Sequence, residues 1–260
     1  MKFQVLRMKM TTFKTGWISC ILCLNVGLFA CQPQTSSVNA SAQTEEAGQI
    51  QSKTIPVKGV NQVVCEVESC VRFDLQTVDT NMAWIDQYFL ERIQRTEPVA
   101  FRTVSSDKIK AKDQPKLFEQ RSIQVSYLNQ YGHLATFIFK TAHQPRRAAQ
   151  PQSHTEYVNL DLKQKKRLAL YQIMLGNTEG KLKQSLYQEN KDWLDRAQIT
   201  SKQLELSDNY YFDSQGLVLI YPAGELSKST SVMVELKVPY TALNRIIRPE
   251  YLSILPRTTP

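Results

Sequence analysis

Long apolar runs are scarce in this chain of 260 residues. The longest, residues 17–30 (WISCILCLNVGLFA), contains Ser19 and Asn25 and falls short of the roughly 20 residues that a bilayer-spanning helix needs. A permanent transmembrane helix is therefore not expected. Histidine is also scarce. His133, His143 and His154 are ten and eleven residues apart, so no two share the i, i+4 spacing that places a pair of metal ligands on one helix face. The chain has no G-x-S-x-G, no H-E-x-x-H and no phosphate-binding glycine loop, which removes the common hydrolase, metalloprotease and nucleotide-binding signatures. Asp192 with Asp195 and Asp208 with Asp213 sit where surface and turn roles account for them. No catalytic residue, metal site or cofactor is read from these patterns. Acid is missing from the first 16 residues, which carry Lys2, Arg7, Lys9 and Lys14.

That basic leader, followed by a short apolar core, is the layout of a secretory signal. The core closes on Leu28-Phe29-Ala30-Cys31, which resembles the bacterial lipobox. The resemblance implies cleavage before Cys31 and attachment of a diacylglyceryl group to its sulfur. Two or three acyl chains anchor a protein stably where one does not. Gln32, in place of an aspartate, resembles the signal for outer-membrane sorting. With the leader removed, 28 basic residues face 24 acidic ones, so the mature net charge is near +4 instead of +8. A modest excess without an arginine-rich stripe does not support nucleic-acid binding. The expected location is the cell envelope, with the membrane contacted through the N-terminal lipid.

Export also governs the cysteines. Cys20 and Cys23 leave with the signal, and Cys65 and Cys70 remain as a pair in an oxidising compartment. Four residues separate them, a length that suits a disulfide across a tight hairpin. So short a loop contributes about 2 kcal/mol on the chain-entropy model.

Three segments follow from composition: a signal peptide, 1–30; a tether rich in Gln, Ser, Thr and Ala, 31–60; and a domain, 61–260, which two packed halves, 61–142 and 154–260, would compose. In the domain a strand over residues 70–78 leads into a helix that Asp79 or Asn81 can cap, with Met82, Ile85, Phe89 and Ile93 on one stripe. Residues 102–118 are compatible with a short helix or a loop. Residues 121–140 read as a hairpin turning at 129–132, and residues 143–154 as a polar connection. A strand with Val158, Leu160 and Leu162, a basic turn at 163–167 and a returning leucine strand come next. A helix is expected over 178–195, a hairpin turning at 213–216, a last strand over 232–238, and a helix begun by Pro239. Strands with helices between hairpins predict an α+β fold with a largely antiparallel sheet.

The run YYFDSQGLVLIYP, followed by VELKVPYTALNRII, resembles the RsiV-type domain of lysozyme-sensing anti-sigma factors, a family that also supplies a non-catalytic module to a peptidoglycan deacetylase. Val238, Pro239 and Tyr240 match its Val-Pro-Tyr, and Asn159 and Asp161 its Asn-x-Asp strand. The turn at 163–166 lacks the family's usual glycine, and the crossing at 222–230 is polar where relatives carry aromatics. The resemblance implies a non-catalytic binding module whose partner is an envelope protein or a glycan. Lysozyme is the relative's ligand, yet a cationic partner suits an acidic receptor surface, and in this crossing Glu225 is balanced by Lys228. The rival expectation is an envelope hydrolase or transferase with a site dispersed over His133, His154 and Asp161; a scaffold subunit is a third.

Overall fold

A computed structural model describes residues 48–66, 69–103, 118–146, 148, 150–228 and 230–256. Cys31 and most of residues 102–118 lie outside them. Strands β1 (Ser52–Pro56), β2 (Val63–Glu66) and β3 (Ser69–Thr80) open the fold, followed by helix α1 (Ala83–Thr96) and a 3-10 turn at Pro98–Phe101. Strands β4 (Phe118–Tyr131), β5 (Leu134–Gln144), β6 (Gln152–Asp161) and β7 (Lys166–Arg167) complete the first sheet, in the order β1-β3-β4-β5-β6-β7 with β2 also on β3. Four short helices, α2 (Leu170–Ile173), α3 (Glu179–Glu189), α4 (Lys191–Arg196) and, near the end, α5 (Pro249–Leu252), accompany a second sheet of β8 (Tyr210–Phe212), β9 (Gly216–Tyr221) and β10 (Val234–Pro239) in the order β10-β9-β8. The fold is α+β and largely antiparallel, with one parallel pair, β3–β4.

The parallel pair exists because α1 carries the chain across one sheet face between the two strands. Ile85, Phe89 and Ile93 recur at helical spacing and are fully buried. They pack on the sheet positions that alternate inward, among them Phe73, Leu75, Val125, Phe137 and Val158. Full burial of a side chain of this size contributes about 1.5–3 kcal/mol. The expected Asp79 or Asn81 cap is replaced by another arrangement. Met82 occupies the cap without a side-chain bond, while the Thr80 hydroxyl donates to Asp86 (2.7 Å) and accepts from Met82 N (3.1 Å). Glu97 closes the helix before Pro98, as a helix should end before a proline.

On the N-terminal side one expectation is corrected and one is met. The stretch read as tether contains β1, paired in register from Ser52↔Thr80 to Pro56↔Gln76, with Ile50 and Val57 buried beside it. Its mostly exposed edge-strand pattern left no apolar alternation to see. Cys65 and Cys70 stand opposite each other in the β2–β3 register and form the disulfide.

The second apolar core lies between the second sheet and the helices before it. Tyr210, Phe212, Leu217, Leu219, Leu236 and Val238 face Leu182, Leu186 and Leu194. The boundary between the two cores falls near Leu162 and Leu168, later in the chain than the 142–154 connection, because β5 and β6 form one continuous hairpin ladder from Leu134↔Asp161 to His143↔Gln152. The helix expected over 178–195 is broken at Asn190, whose side chain turns to Lys237. The last strand starts at Val234, leaving Val232 65% exposed. Pro239 ends that strand and caps a 3-10 turn, Tyr240–Leu243, rather than entering a helix.

Asparagine amides tie the sheets together. Buried Asn159 accepts from the Thr136 hydroxyl (2.8 Å) and donates to Tyr210 O (2.6 Å). Asn129 donates to Phe212 O, and Asn209 accepts from Tyr157 N while donating to Thr155 O. Asn159→Ala removes a buried amide and strands two polar partners, so we expect a loss of about 2–4 kcal/mol, read as a lower urea midpoint. Exposed Asn81→Ala, the control, should shift the midpoint far less.

Candidate functional site

The fold brings two residues of the rival enzymatic expectation together and leaves the third apart. His133 and Asp161 meet at one end of the β5–β6 hairpin, where Leu162 N donates to His133 O. His154 is opposite Thr141, seven residues along β6 and thus about 23 Å away. His143 and His154 occupy diagonal positions on that hairpin, but His143 Nε2 lies 2.9 Å from Glu119 Oε1 instead. Among the described residues, no cluster of three or more His, Cys, Asp or Glu is arranged to hold a metal ion.

Asp161 serves as an anchor. Its Oδ1 accepts from Lys163 N and Gln164 N, and its Oδ2 from Gln164 Nε2 and the Tyr251 hydroxyl (3.1 Å). These bonds shape the basic turn, where Lys165 adopts φ 51°, the left-handed conformation that a glycine takes without strain. Burial, reinforced by Asp161, pushes the Tyr251 phenol up to about 12. The His133 ring is 5.7 Å from that of Tyr251. Burial lowers the His133 pKa; Asp161 and Glu250 oppose the shift and Lys163 adds to it.

The remaining candidates resolve into local structure. Asp208 accepts from Leu170 N and Arg167. Asp213 accepts from Gln215 N and Gly216 N and pairs with Lys237. Asp195 bonds Tyr187 and Lys191. The 222–230 crossing is a turn in which Gly224, at φ 79°, donates to Thr230 O.

Two adjoining clefts are the concave features that none of these motifs announced. One, of about 730 Å³, is lined by Leu175, Thr241, Asn244, Arg245, Leu252 and Ser253, among others. Its neighbour, of about 450 Å³, is lined by Tyr171, Leu175, Asn177, Glu179, Asp208 and Arg248, among others. Leu175 belongs to both and is 36% exposed, and Tyr171 is 73% exposed. The wall between them is braced. Met174 and Ile247 form an isolated antiparallel bridge, Leu175 N donates to Ile246 O, Arg248 N to Ile173 O, and Arg248 Nε to Met174 O. Thr178 Oγ1 donates to Leu175 O and lies 3.1 Å from Ile246 O. Asn177 and Arg245, one on each cleft, hold φ near +60°, a conformation that asparagine tolerates and that carries strain in arginine.

The clefts offer apolar walls with amide, hydroxyl and guanidinium groups. Tyr240 also lines the first, but its hydroxyl donates to Asp213 O and burial raises its pKa. The sequence reading has a returning leucine strand at Leu168 and Leu170 and gives Tyr171 no role. The signal against that reading was the Gln172 amide, which accepts from Ala169 N and starts α2.

No protein-family model matches the sequence, and no curated protein does either. Solved structures do. A DUF3298-family protein from Pseudomonas aeruginosa superposes with a TM-score of 0.56 at 16% identity, over 81% of this chain and 99% of that one. A DUF3298-family member from Bacteroides fragilis gives 0.54 at 12% identity, over 81% and 98%. The likeness is one of fold.

Because His133 binds its proton less readily when folded, the unfolded chain takes up more protons below about pH 6.5. Stability from this residue is present above that pH and is lost as pH falls toward the lowered value. His133→Asn should flatten the drop in urea midpoint between neutral and mildly acidic pH, with Glu119 and the other carboxylates setting the decline at lower pH.

Proposed function

We propose that the protein is an exported, lipid-anchored, non-catalytic module of the cell envelope that binds a glycan across the twin clefts. The observation that carries this reading is the exposed Tyr171 beside Leu175 on a braced ridge, flanked by Asn177, Asn244, Arg245 and Arg248. A sugar ring presents an apolar face of C–H groups and a rim of hydroxyls. An exposed aromatic ring suits the first, and amides, hydroxyls and guanidinium groups suit the second. Mostly apolar clefts with a few polar groups are the usual form of a small-ligand site. The polar groups are spread along open clefts rather than aimed at one point, as a reaction would require.

The envelope setting rests on the leader, the short apolar core and Cys31, with the Cys65–Cys70 disulfide consistent with an oxidising compartment. An acyl probe is expected to label the wild-type chain and spare Cys31→Ser, which should accumulate unprocessed; equal labelling of both would remove the anchor from the reading. Titration calorimetry at low salt of the Thr44–Pro260 unit with soluble peptidoglycan fragments tests the site. Tyr171→Ala should weaken binding about tenfold, a loss of about 1.4 kcal/mol. Binding unchanged by that substitution refutes the cleft. The near +4 mature charge predicts weak or no binding to cationic lysozyme, so a sub-micromolar one-to-one complex would instead favour a lysozyme receptor.

A further inference from the structure

A sheet ends where a strand lacks a neighbour, and β10 is such an end, paired only with β9. Lys237 stands opposite Val218 with its N–H and C=O turned away from β9, and Asn190 holds both: Lys237 N donates to Oδ1 (3.2 Å) and Nδ2 donates to Lys237 O (2.9 Å). The carboxamide does for Lys237 what the peptide group of an adjacent strand would do. Alternation along an antiparallel strand turns the N–H and C=O of Glu235 the same way, and among the described residues no group bonds to them on that side. A groove of about 500 Å³ runs along this edge, lined by Trp193, Val232, Met233, Glu235 and Leu236, among others. Val232 is 65% exposed and Met233 40%. It shares no lining residue with the twin clefts.

We propose that the open edge of β10 docks an extended segment of a partner protein, added as a fourth strand, with a basic residue opposite Glu235. The free N–H and C=O of Glu235 suit a polypeptide, because an added strand presents both groups side by side at the spacing of a strand pair. A second copy of this chain does not fit. The open stretch, 232–236, ends against Asn190 and spans about 17 Å, too little for the roughly 800 Å² per partner of a stable dimer. Charge selects the segment. Lys237, on the same face, is paired with Asp213, whereas the Glu235 carboxylate has the Tyr211 hydroxyl at 3.5 Å and no salt-bridge partner among the described residues. A lysine or arginine directly across the new strand pair supplies the missing countercharge, and apolar residues flanking it cover Trp193, Val232 and Met233. Burying those side chains also removes the aggregation hazard of an exposed apolar edge.

The test uses the full chain in detergent and fluorescence anisotropy of a labelled extended peptide, Thr-Lys-Thr-Val-Thr, whose five residues match the open stretch with lysine opposite Glu235 when it lies antiparallel, with two counterparts, one bearing glutamate for lysine and one with its edge amides N-methylated. The lysine peptide should bind about fivefold more tightly than the glutamate peptide. The order should invert in Glu235→Lys, an exposed substitution whose thermal melt checks folding, and the methylated peptide should not bind. Failure to bind at millimolar peptide, equal binding of the charged pair, or binding of the methylated peptide overturns the proposal. So does concentration-dependent dimerisation abolished by Met233→Pro, which would make a second copy the occupant. None of these outcomes depends on the glycan clefts, where Tyr171→Ala is the separate readout.

Discussion

Asparagine carboxamides replace the strand pairing that the two sheets do not share. The second sheet has only three strands, and three antiparallel strands need a packed face to be stable. Helices α3 and α4 cover its inner face, but its β8 edge would leave backbone groups unpaired inside the molecule, at a penalty of about 1–3 kcal/mol for each. Asn159 meets Tyr210 O, Asn129 meets Phe212 O, and Asn209 meets both Tyr157 N and Thr155 O. Asn190 does the same for Lys237 on the opposite edge. A carboxamide has one acceptor and a donor pair in a plane, the same groups as a peptide unit.

The rest of the architecture follows from that joint. With β8 held against β6, stacked Tyr157 and Tyr211 cover the seam, their rings 4.4 Å apart. At the far end of β6, Asp161 gathers the basic turn and the Tyr251 hydroxyl, so the C-terminal segment is fastened to the first sheet. Leu168 and Leu170 pass directly from β7 into the second core. The Asn-x-Asp pair is therefore a structural joint: Asn159 connects the sheets and Asp161 connects the chain end.

The same joint distributes the exposed surfaces. Fastening Tyr251 and bridging Met174 to Ile247 leaves the segment around α2 raised, with Tyr171 and Leu175 outward between the clefts. Asn177 and Arg245, beside the bonded wall, are both left-handed, a conformation that asparagine visits readily and arginine does not. On the glycan-binding reading proposed above, the braced ridge needs little ordering on binding, which favours affinity.

How much of this was legible in the residues depends on whether a feature is local. The α1 stripe, the β4–β5 hairpin, the β8–β9 hairpin and the Cys65–Cys70 pairing arise from neighbours a few positions apart, and alternation or helical spacing displays them directly. β1 escaped because an edge strand need bury little. The 178–195 helix was overextended because Asn190 leaves helical geometry for a partner 47 residues away. The clefts were invisible for the same reason: Tyr171, Leu175, Arg245 and Arg248 come from separate segments that the Met174–Ile247 bridge and the bonds around it bring together. The sequence by itself determined the α+β class, the hairpins and the disulfide, since local periodicity and spacing encode them. Tertiary structure alone decided that the Asn-x-Asp motif is a joint, that His154 stands apart from His133 and Asp161, and that a tyrosine in an apolar run faces solvent, because each depends on contacts between residues distant in the chain.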